Sequence, residues 1–147
     1  MNNKISTFHH QMPAQLRFSD VDRFGHVNNA VYFSLFDMCK TNYFMTVMGK
    51  NIFDSIATVV VNIEAKFIAP VFYPDDIVIQ TSITQLGNKS FTLFQRALNW
   101  RTKDVKCECE TVMVMFDIKN NHSITIPTEY REKIAMFEKG NELIKKQ

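Results

Sequence analysis

Several features that would mark a special class of protein are scarce or missing in this chain of 147 residues. It has only four glycines and one tryptophan against 13 phenylalanines, which favours a core of large flat side chains with few sharp backbone bends. Its three cysteines are an odd number without a C-x-x-C pair or a zinc-ligand spacing, and we interpret them as reduced thiols of a cytoplasmic protein. No apolar run approaches the ~18 residues of a spanning helix and the start has no apolar signal segment, so neither membrane insertion nor secretion is expected.

An excess of charge of one sign is also missing. The 17 basic and 15 acidic residues give a net charge of +2, which argues against nucleic acid as a partner, since that requires a concentrated basic face. The chain lacks a glycine-rich phosphate loop, a G-x-S-x-G elbow and an H-E-x-x-H pair, and its four histidines do not have the spacing of a metal site. We therefore expect no metal and no redox cofactor. The length is that of one ordinary domain, which we assign to residues 1–147.

The strongest helical signal lies between residue 28 and about residue 48, where apolar side chains cover nearly the whole helical circumference. Such a helix is expected to be buried. Asn28 or Asn29 can cap its first turn, and Gly49 is a natural end. A narrow polar stripe remains, formed by Ser34, Asp37 and Thr41.

Alternating apolar and polar residues predict strands before and after this helix. The clearest alternation covers residues 57–67 and predicts a half-buried strand. Three more strands are predicted at 77–86, 90–100 and 105–118, and their short connections favour antiparallel pairing. A short run at 16–20 predicts a first strand, and an amphipathic pattern after Pro127 predicts a peripheral C-terminal helix. The fold class predicted is α+β, with an antiparallel sheet wrapped around a central buried helix.

The most specific motif stands just before and within the start of the helix. Residues 17–32 read R-F-S-D-V-D-R-F-G-H-V-N-N-A-V-Y. With its pattern D-x-D-x-x-G-H-V-N-N-x-x-Y, the chain resembles thioesterases of the 4-hydroxybenzoyl-CoA thioesterase and Tol-Pal-associated acyl-CoA thioesterase type. T-N-Y-F at 41–44, F-I-A-P at 67–70 and D-D at 75–76 add to a resemblance that covers roughly residues 12–118. It implies a hot-dog fold, hydrolysis of acyl-CoA to a free acid and coenzyme A, and a homo-oligomer with active sites between subunits.

The resemblance also implies roles for individual residues. Asp22 is the catalytic carboxylate, acting either as a nucleophile on the thioester carbonyl or as a base that activates water. The backbone amide of Asn29, in the first turn of the helix, donates to the oxyanion. Gly25 permits a tight turn, His26 either takes part in catalysis or holds the loop, and Tyr32 either lines the acyl pocket or packs in the core.

Other expectations are less specific. Lys89, Arg96, Arg101 and Lys103 lie near predicted strand ends and are candidate contacts for the phosphates of coenzyme A. Glu64 is a candidate second acid, by a loose analogy with acyl-ACP thioesterases. Two alternatives stay open: a hot-dog module that binds acyl-CoA without cleaving it, and a thioesterase that acts on acyl-ACP or polyketide thioesters. Acyl length and the choice between dimer and tetramer are also left open.

Overall fold

An antiparallel sheet and one long helix form most of the chain. The structure, a computed structural model, describes residues 5, 7–49 and 56–145. Its elements in chain order are β1 (His10–Ala14), α1 (Asn29–Met48), β2 (Ile56–Phe67), β3 (Ile77–Leu86), β4 (Ser90–Asn99), β5 (Val105–Asp117), β6 (His122–Ser123), α2 (Thr128–Phe137) and β7 (Ile144–Lys145).

The main strands lie in the order β1-β3-β4-β5-β2. All neighbours on this path pair antiparallel, which the short connections predicted for β3, β4 and β5, while β6 adds to β5 and β7 runs parallel to β3. The chain passes from α1 into β2 at one edge of the sheet and then crosses to β3, so β2 lies beside β5 rather than beside the strand that follows it. A long helix packed on one face of this sheet is the hot-dog arrangement, which confirms the predicted fold class. Within the described residues, no helix is long and apolar enough to cross a membrane.

Helix α1 begins and ends as its capping residues predicted. The Asn28 side chain accepts a hydrogen bond from the Ala30 amide at 3.0 Å, so Asn28 rather than Asn29 is the cap. At the other end Gly49 has a φ of 88°, and its amide donates to the Met45 carbonyl at 3.0 Å. Local sequence signals therefore fix both ends of the helix.

One side of α1 is buried and the other is exposed in the single chain. Phe36, Cys39 and Tyr43 are completely buried. Ser34, Asp37 and Thr41 are exposed as predicted, but so are Met38 and Met45. The exposed side is therefore wider than the predicted polar stripe. Lys40, in contrast, is buried, which its charge did not predict.

A bulge interrupts β2. The register with β5 shifts between Val60 and Asn62, which makes Val61 the extra residue. Val60 lies opposite Met113 and Ile63 lies opposite Thr111, and both of these β5 side chains are buried. Facing residues of a pair point to the same side of a sheet, so the apolar positions of β2 change sides at the bulge. The prediction of one continuous alternation along this strand is therefore wrong.

The predicted strand at 16–20 is also wrong. This segment contains a turn of 3₁₀ helix at Phe18–Asp20, and the first strand is β1, which lies earlier and pairs with β3. The Asp20 carboxylate accepts a hydrogen bond from the Arg17 amide at 2.7 Å. Such a local side-chain contact offers the backbone an alternative to a strand ladder, and here it prevails.

Glu138, just after α2, binds the end of this helix to the sheet through hydrogen bonds. Its carboxylate is 1% exposed and accepts hydrogen bonds from the Tyr43 hydroxyl at 2.6 Å, the Ser82 hydroxyl at 2.8 Å and the Ile83 amide at 3.2 Å. Asn141 adds a fourth donor at 2.9 Å. Glu138 contacts β3 at Ser82 and Ile83, between residues 77–81, which pair with β1, and residues 85–86, which pair with β7. The helix is peripheral, as predicted, but its end is anchored in the interior.

Candidate active site

A tight loop before α1 orients the carboxylate of Asp22. The Asp22 amide donates to the His26 carbonyl at 2.8 Å, and the Gly25 amide donates to the Asp22 carbonyl at 3.0 Å. Asp22 Oδ1 accepts from the amides of Phe24 and His26 at 2.9 and 3.1 Å. Gly25 has a φ of +80°, a region that side-chain-bearing residues rarely adopt, so the turn requires glycine. Asp22 Oδ2 accepts no hydrogen bond from the described residues and is free to act on a ligand.

A second aspartate, Asp20, pairs with Arg17 through its carboxylate and contacts the start of the helix through its backbone carbonyl. Asp20 is 2% exposed, and its Oδ1 lies 2.9 Å from an Arg17 guanidinium nitrogen. Hydrogen bonding with Arg17 holds the pKa of this carboxyl below its ordinary value. The Asp20 carbonyl accepts from the Asn28 amide at 2.9 Å. The sequence assigned Asp20 no role, although an arginine three residues earlier was a signal for this ion pair.

The first turn of α1 leaves one amide available. The Ala30 amide is taken by the Asn28 side chain at 3.0 Å, and the Val31 amide by the Asn28 carbonyl at 2.9 Å. For the Asn29 amide, no acceptor occurs in the part of the chain that the structure describes. It stands at the positive end of the helix dipole, where a developing negative charge is stabilised.

These groups meet in one open cleft of about 460 Å³. Asp22, His26, Asn29 and Tyr32 line one side, and residues 67–70 line the other. The structure therefore brings together four of the five residues predicted for catalysis and for binding the oxyanion or acyl group, with Gly25 in the loop that supports them. The cleft contains a fixed carboxylate, which can act in the attack on a carbonyl carbon, and an available amide, which can donate to the carbonyl oxygen.

The His26 ring lies among aromatic side chains. It packs edge-on against Phe72, with ring centroids 4.9 Å apart and planes at 83°. Phe24 lies further off, at 6.4 Å. Within the described part of the chain the ring nitrogens have no hydrogen-bond partner. The backbone of His26 thus supports Asp22, while its imidazole is available to a ligand in the cleft.

Tyr32 is a buried wall of the cleft. Its ring contacts Phe36 and Phe67 at centroid distances of 6.3 and 5.6 Å. Burial raises the pKa of its hydroxyl to about 12. The phenol is therefore neutral at physiological pH and does not serve as a base there.

The candidate coenzyme A contacts are spread over the chain. Lys89 lies in the turn between β3 and β4, and Arg101 lies after the other end of β4, so the ten residues of that strand, ~34 Å, separate them. Arg101 is at the same end of the sheet as the cleft, whose Ile68 amide donates to the Lys106 carbonyl at 2.9 Å. Arg96 lies between them, with Nε 2.7 Å from the Gln80 side chain and its guanidinium 4.6 Å from the Phe8 ring. One chain does not bring these three cations together.

Lys103 and Glu64 lie outside the cleft as well. The Lys103 ammonium lies over the Trp100 ring, 3.0 Å from its centroid. Glu64 faces Glu110 of β5 on the side of the sheet away from α1, so it does not reach Asp22 within this chain. Among the residues that can be described, no group of three or more His, Cys, Asp or Glu side chains is placed to hold a metal ion.

Comparisons with known proteins find similar sequences. The model of the thioesterase-like superfamily matches residues 16–134. The long-chain acyl-CoA thioesterase FadM of Escherichia coli (strain K12) is 27% identical over 135 residues, which cover 88% of this chain and 99% of that protein.

Solved structures show the same fold. A putative thioesterase from Pseudomonas aeruginosa has 25% identity and a TM-score of 0.79, over 88% of this chain and 100% of its own. A thioesterase from Thermus thermophilus, complexed with coenzyme A and Zn, has 22% identity and a TM-score of 0.81, over 90% of this chain and 96% of its own. The second likeness carries the fold alone.

Proposed function

The chain belongs to the thioesterase-like superfamily, and from this premise we propose that it hydrolyses acyl-CoA to a free acid and coenzyme A with Asp22 as its catalytic carboxylate. The observation that carries the proposal is the shared cleft, where Asp22 and the Asn29 amide face the same space. FadM is named as an acyl-CoA thioesterase, which supports the choice of coenzyme A as the carrier.

The proposed reaction uses the two groups on the same carbonyl. The thioester oxygen lies at the Asn29 amide, which stabilises the negative charge of the tetrahedral intermediate. Asp22 Oδ2 then acts in one of two ways. It attacks the carbonyl carbon, expels the coenzyme A thiolate and leaves an anhydride for water to cleave, or it takes a proton from a water that attacks directly. Oδ1 stays held by two amides in both cases, so the reacting oxygen is fixed in place.

Neighbouring groups assist in distinct ways. We assign to the His26 imidazole a contact with the thioester or with the attacking water. The ring lines the cleft, and its nitrogens have no hydrogen-bond partner among the described residues. Gly25 maintains the turn that holds Asp22. Arg101 is the favoured phosphate contact, because it lies at the cleft end of the sheet, where the other candidate, Lys103, is already held over the Trp100 ring.

A homo-oligomer is part of the proposal. Strand β2 is an edge strand, and its Val59, Val61 and Phe67 are 42%, 58% and 42% exposed. A long apolar edge strand promotes pairing with another chain. We propose that a second copy covers this edge, as in the family that the sequence resembles. Light scattering at micromolar concentration is expected to show a dimer or a larger even assembly. A fully active monomer would reject this part of the proposal.

The test of the catalytic proposal is Asp22→Asn. Asparagine keeps the shape and the Oδ1 acceptor of the loop, but it removes the negative oxygen that attacks or accepts a proton. We expect thiol release from long-chain acyl-CoA to fall by at least ~10²-fold, with the melting temperature and acyl-CoA binding retained. Asp104→Asn, in an exposed turn, is the matched control and is expected to have normal turnover.

The other outcomes separate the alternatives. Near-normal turnover in Asp22→Asn would reject the assigned role, since asparagine caps turns about as well as aspartate. Calorimetric binding of acyl-CoA without turnover in the unmodified protein would favour a non-catalytic binding module. A higher kcat/KM for acyl-ACP than for acyl-CoA would keep the reaction and change the carrier.

A further inference from the structure

A second cavity lies further along α1, away from Asp22. It has a volume of about 380 Å³, is partly open to solvent and is bordered by side chains of α1, β2, β4, β5 and α2. Its deeper wall is apolar and includes Phe44, Phe91, Met113 and Ile134. This size lies in the ~300–1,000 Å³ range of small-molecule sites.

Both the cleft and the cavity lie between α1 and β2. The cleft is bordered by Asn29, where α1 begins, and by Phe67, where β2 ends. The cavity is bordered by Lys40 on α1 and by Thr58 near the start of β2. From Asn29 to Lys40 the helix rises eleven residues, ~17 Å. With carbon–carbon bonds of ~1.5 Å, each advancing an extended chain by ~1.25 Å, about 13 carbons span this distance.

Lys40 is a buried charged residue in the lining of this cavity. It is 4% exposed, and its ammonium lies 2.7 Å from Oδ1 of Asp37, whose own side chain is 70% exposed. An ammonium has three donors, and within the described ranges 7–49 and 56–145 no second polar partner accepts from it. Buried donors without acceptors are rare because they carry a desolvation cost. The unpaired donors of Lys40 therefore indicate that a ligand supplies the acceptor.

We infer that the cavity receives the distal part of an acyl chain and that Lys40 donates a hydrogen bond to an oxygen substituent near its end, a hydroxyl or keto group. The inference rests on the proposed thioesterase function and names its substrate class: long acyl chains oxygenated about a dozen carbons from the thioester. A neutral oxygen suits the site better than a carboxylate, because Asp37 already balances the charge of Lys40 and would repel a second anion.

The test compares matched substrates in the unmodified protein and in Lys40→Met. Methionine keeps the length and apolar stem but removes all three donors. The substrates are tetradecanoyl-CoA, its ω-hydroxy form and its ω-carboxy form, together with octanoyl-CoA and ω-hydroxyoctanoyl-CoA, which are too short to reach. Thiol release gives kcat/KM for each. Lys119→Met, on the exposed surface, is the control, and thermal unfolding checks that each variant is folded.

We expect the ratio of kcat/KM for ω-hydroxytetradecanoyl-CoA over tetradecanoyl-CoA to fall at least ~10-fold in Lys40→Met. The octanoyl pair and Lys119→Met should show no such change, and the ω-carboxy substrate should rank below the ω-hydroxy one. Equal ratios in the unmodified protein and Lys40→Met would overturn the inference and leave the thioesterase proposal intact. Thiol release from none of the five substrates would instead count against the proposed function.

Discussion

Glu138 offers the sharpest test of how this fold is held together. Replacement with alanine removes the acceptor of two fully buried donors, the Tyr43 hydroxyl and the Ile83 amide. The Ser82 hydroxyl can turn to the Ile83 carbonyl, which lies 3.4 Å away, so its loss is smaller. At ~1–3 kcal/mol for each stranded buried donor, the two sum to a destabilisation of ~4 kcal/mol.

The assay is urea unfolding followed by circular dichroism, since an unchanged slope shows that the midpoint reports stability alone. Glu138→Gln keeps an oxygen for Tyr43 and Ile83 and should cost less than half as much as alanine. Glu132→Ala, on the exposed side of α2, should stay within ~0.5 kcal/mol of the unmodified protein. A loss below ~1 kcal/mol in Glu138→Ala would show that these donors find other partners and would refute the reasoning.

Three further predictions follow from single residues. Phe36→Ala, at a fully buried site, should lower the free energy of unfolding by ~3–5 kcal/mol, and an unchanged urea midpoint would contradict its enclosure. Gly25→Ala should lower the free energy of unfolding by ~1–2 kcal/mol because of its φ of +80°, although a Cβ there would meet no atom within 4 Å. It should also lower kcat, because the turn that orients Asp22 becomes looser. A normal kcat would show that the turn adapts. The lowered pKa of Asp20 stabilises the fold above the ordinary carboxyl pKa of ~3.9, and this contribution is lost as pH falls through the lower folded-state value. The stability difference between the unmodified protein and Asp20→Asn should therefore shrink in acid, and a difference independent of pH would contradict the ion pair with Arg17.

The parts of the fold that the sequence predicted are those with local signals. The bounds of α1 follow from Asn28 and Gly49, and strands β3, β4 and β5 were placed within a residue or so of their observed ends by turn residues. The roles of the site residues came from the family resemblance of the motif at 17–32 and stay predictions, while the Asp22 loop and the first turn of α1 lie close together because they are adjacent in the chain.

The rest depends on contacts between distant segments. Three consecutive valines fit either face of a strand, so only pairing with β5 reveals the bulge at Val61. Lys40 has the charge of a surface residue, yet it is 4% exposed and lines a cavity together with side chains of β2 and α2, which lie far from it in the sequence. Glu138 is anchored by Tyr43 on another helix, which no local pattern indicates. The sequence does not place the coenzyme A contacts relative to one another, because a cation near one strand end carries no information about the position of another.

The bulge in β2 has a consequence for insertions and deletions. Val60 lies opposite Met113 and Asn62 lies opposite Val112, its immediate neighbour on β5. An in-frame loss of one codon from the valine run at 59–61 would therefore convert the bulge into a regular ladder and leave the other facing pairs in place, since all three codons encode the same residue. Loss of a codon further from the bulge would slip the residues between it and the bulge by one position and exchange their side chains between the two faces of the sheet. We therefore expect this strand to accept a one-residue deletion in the valine run more readily than near either end.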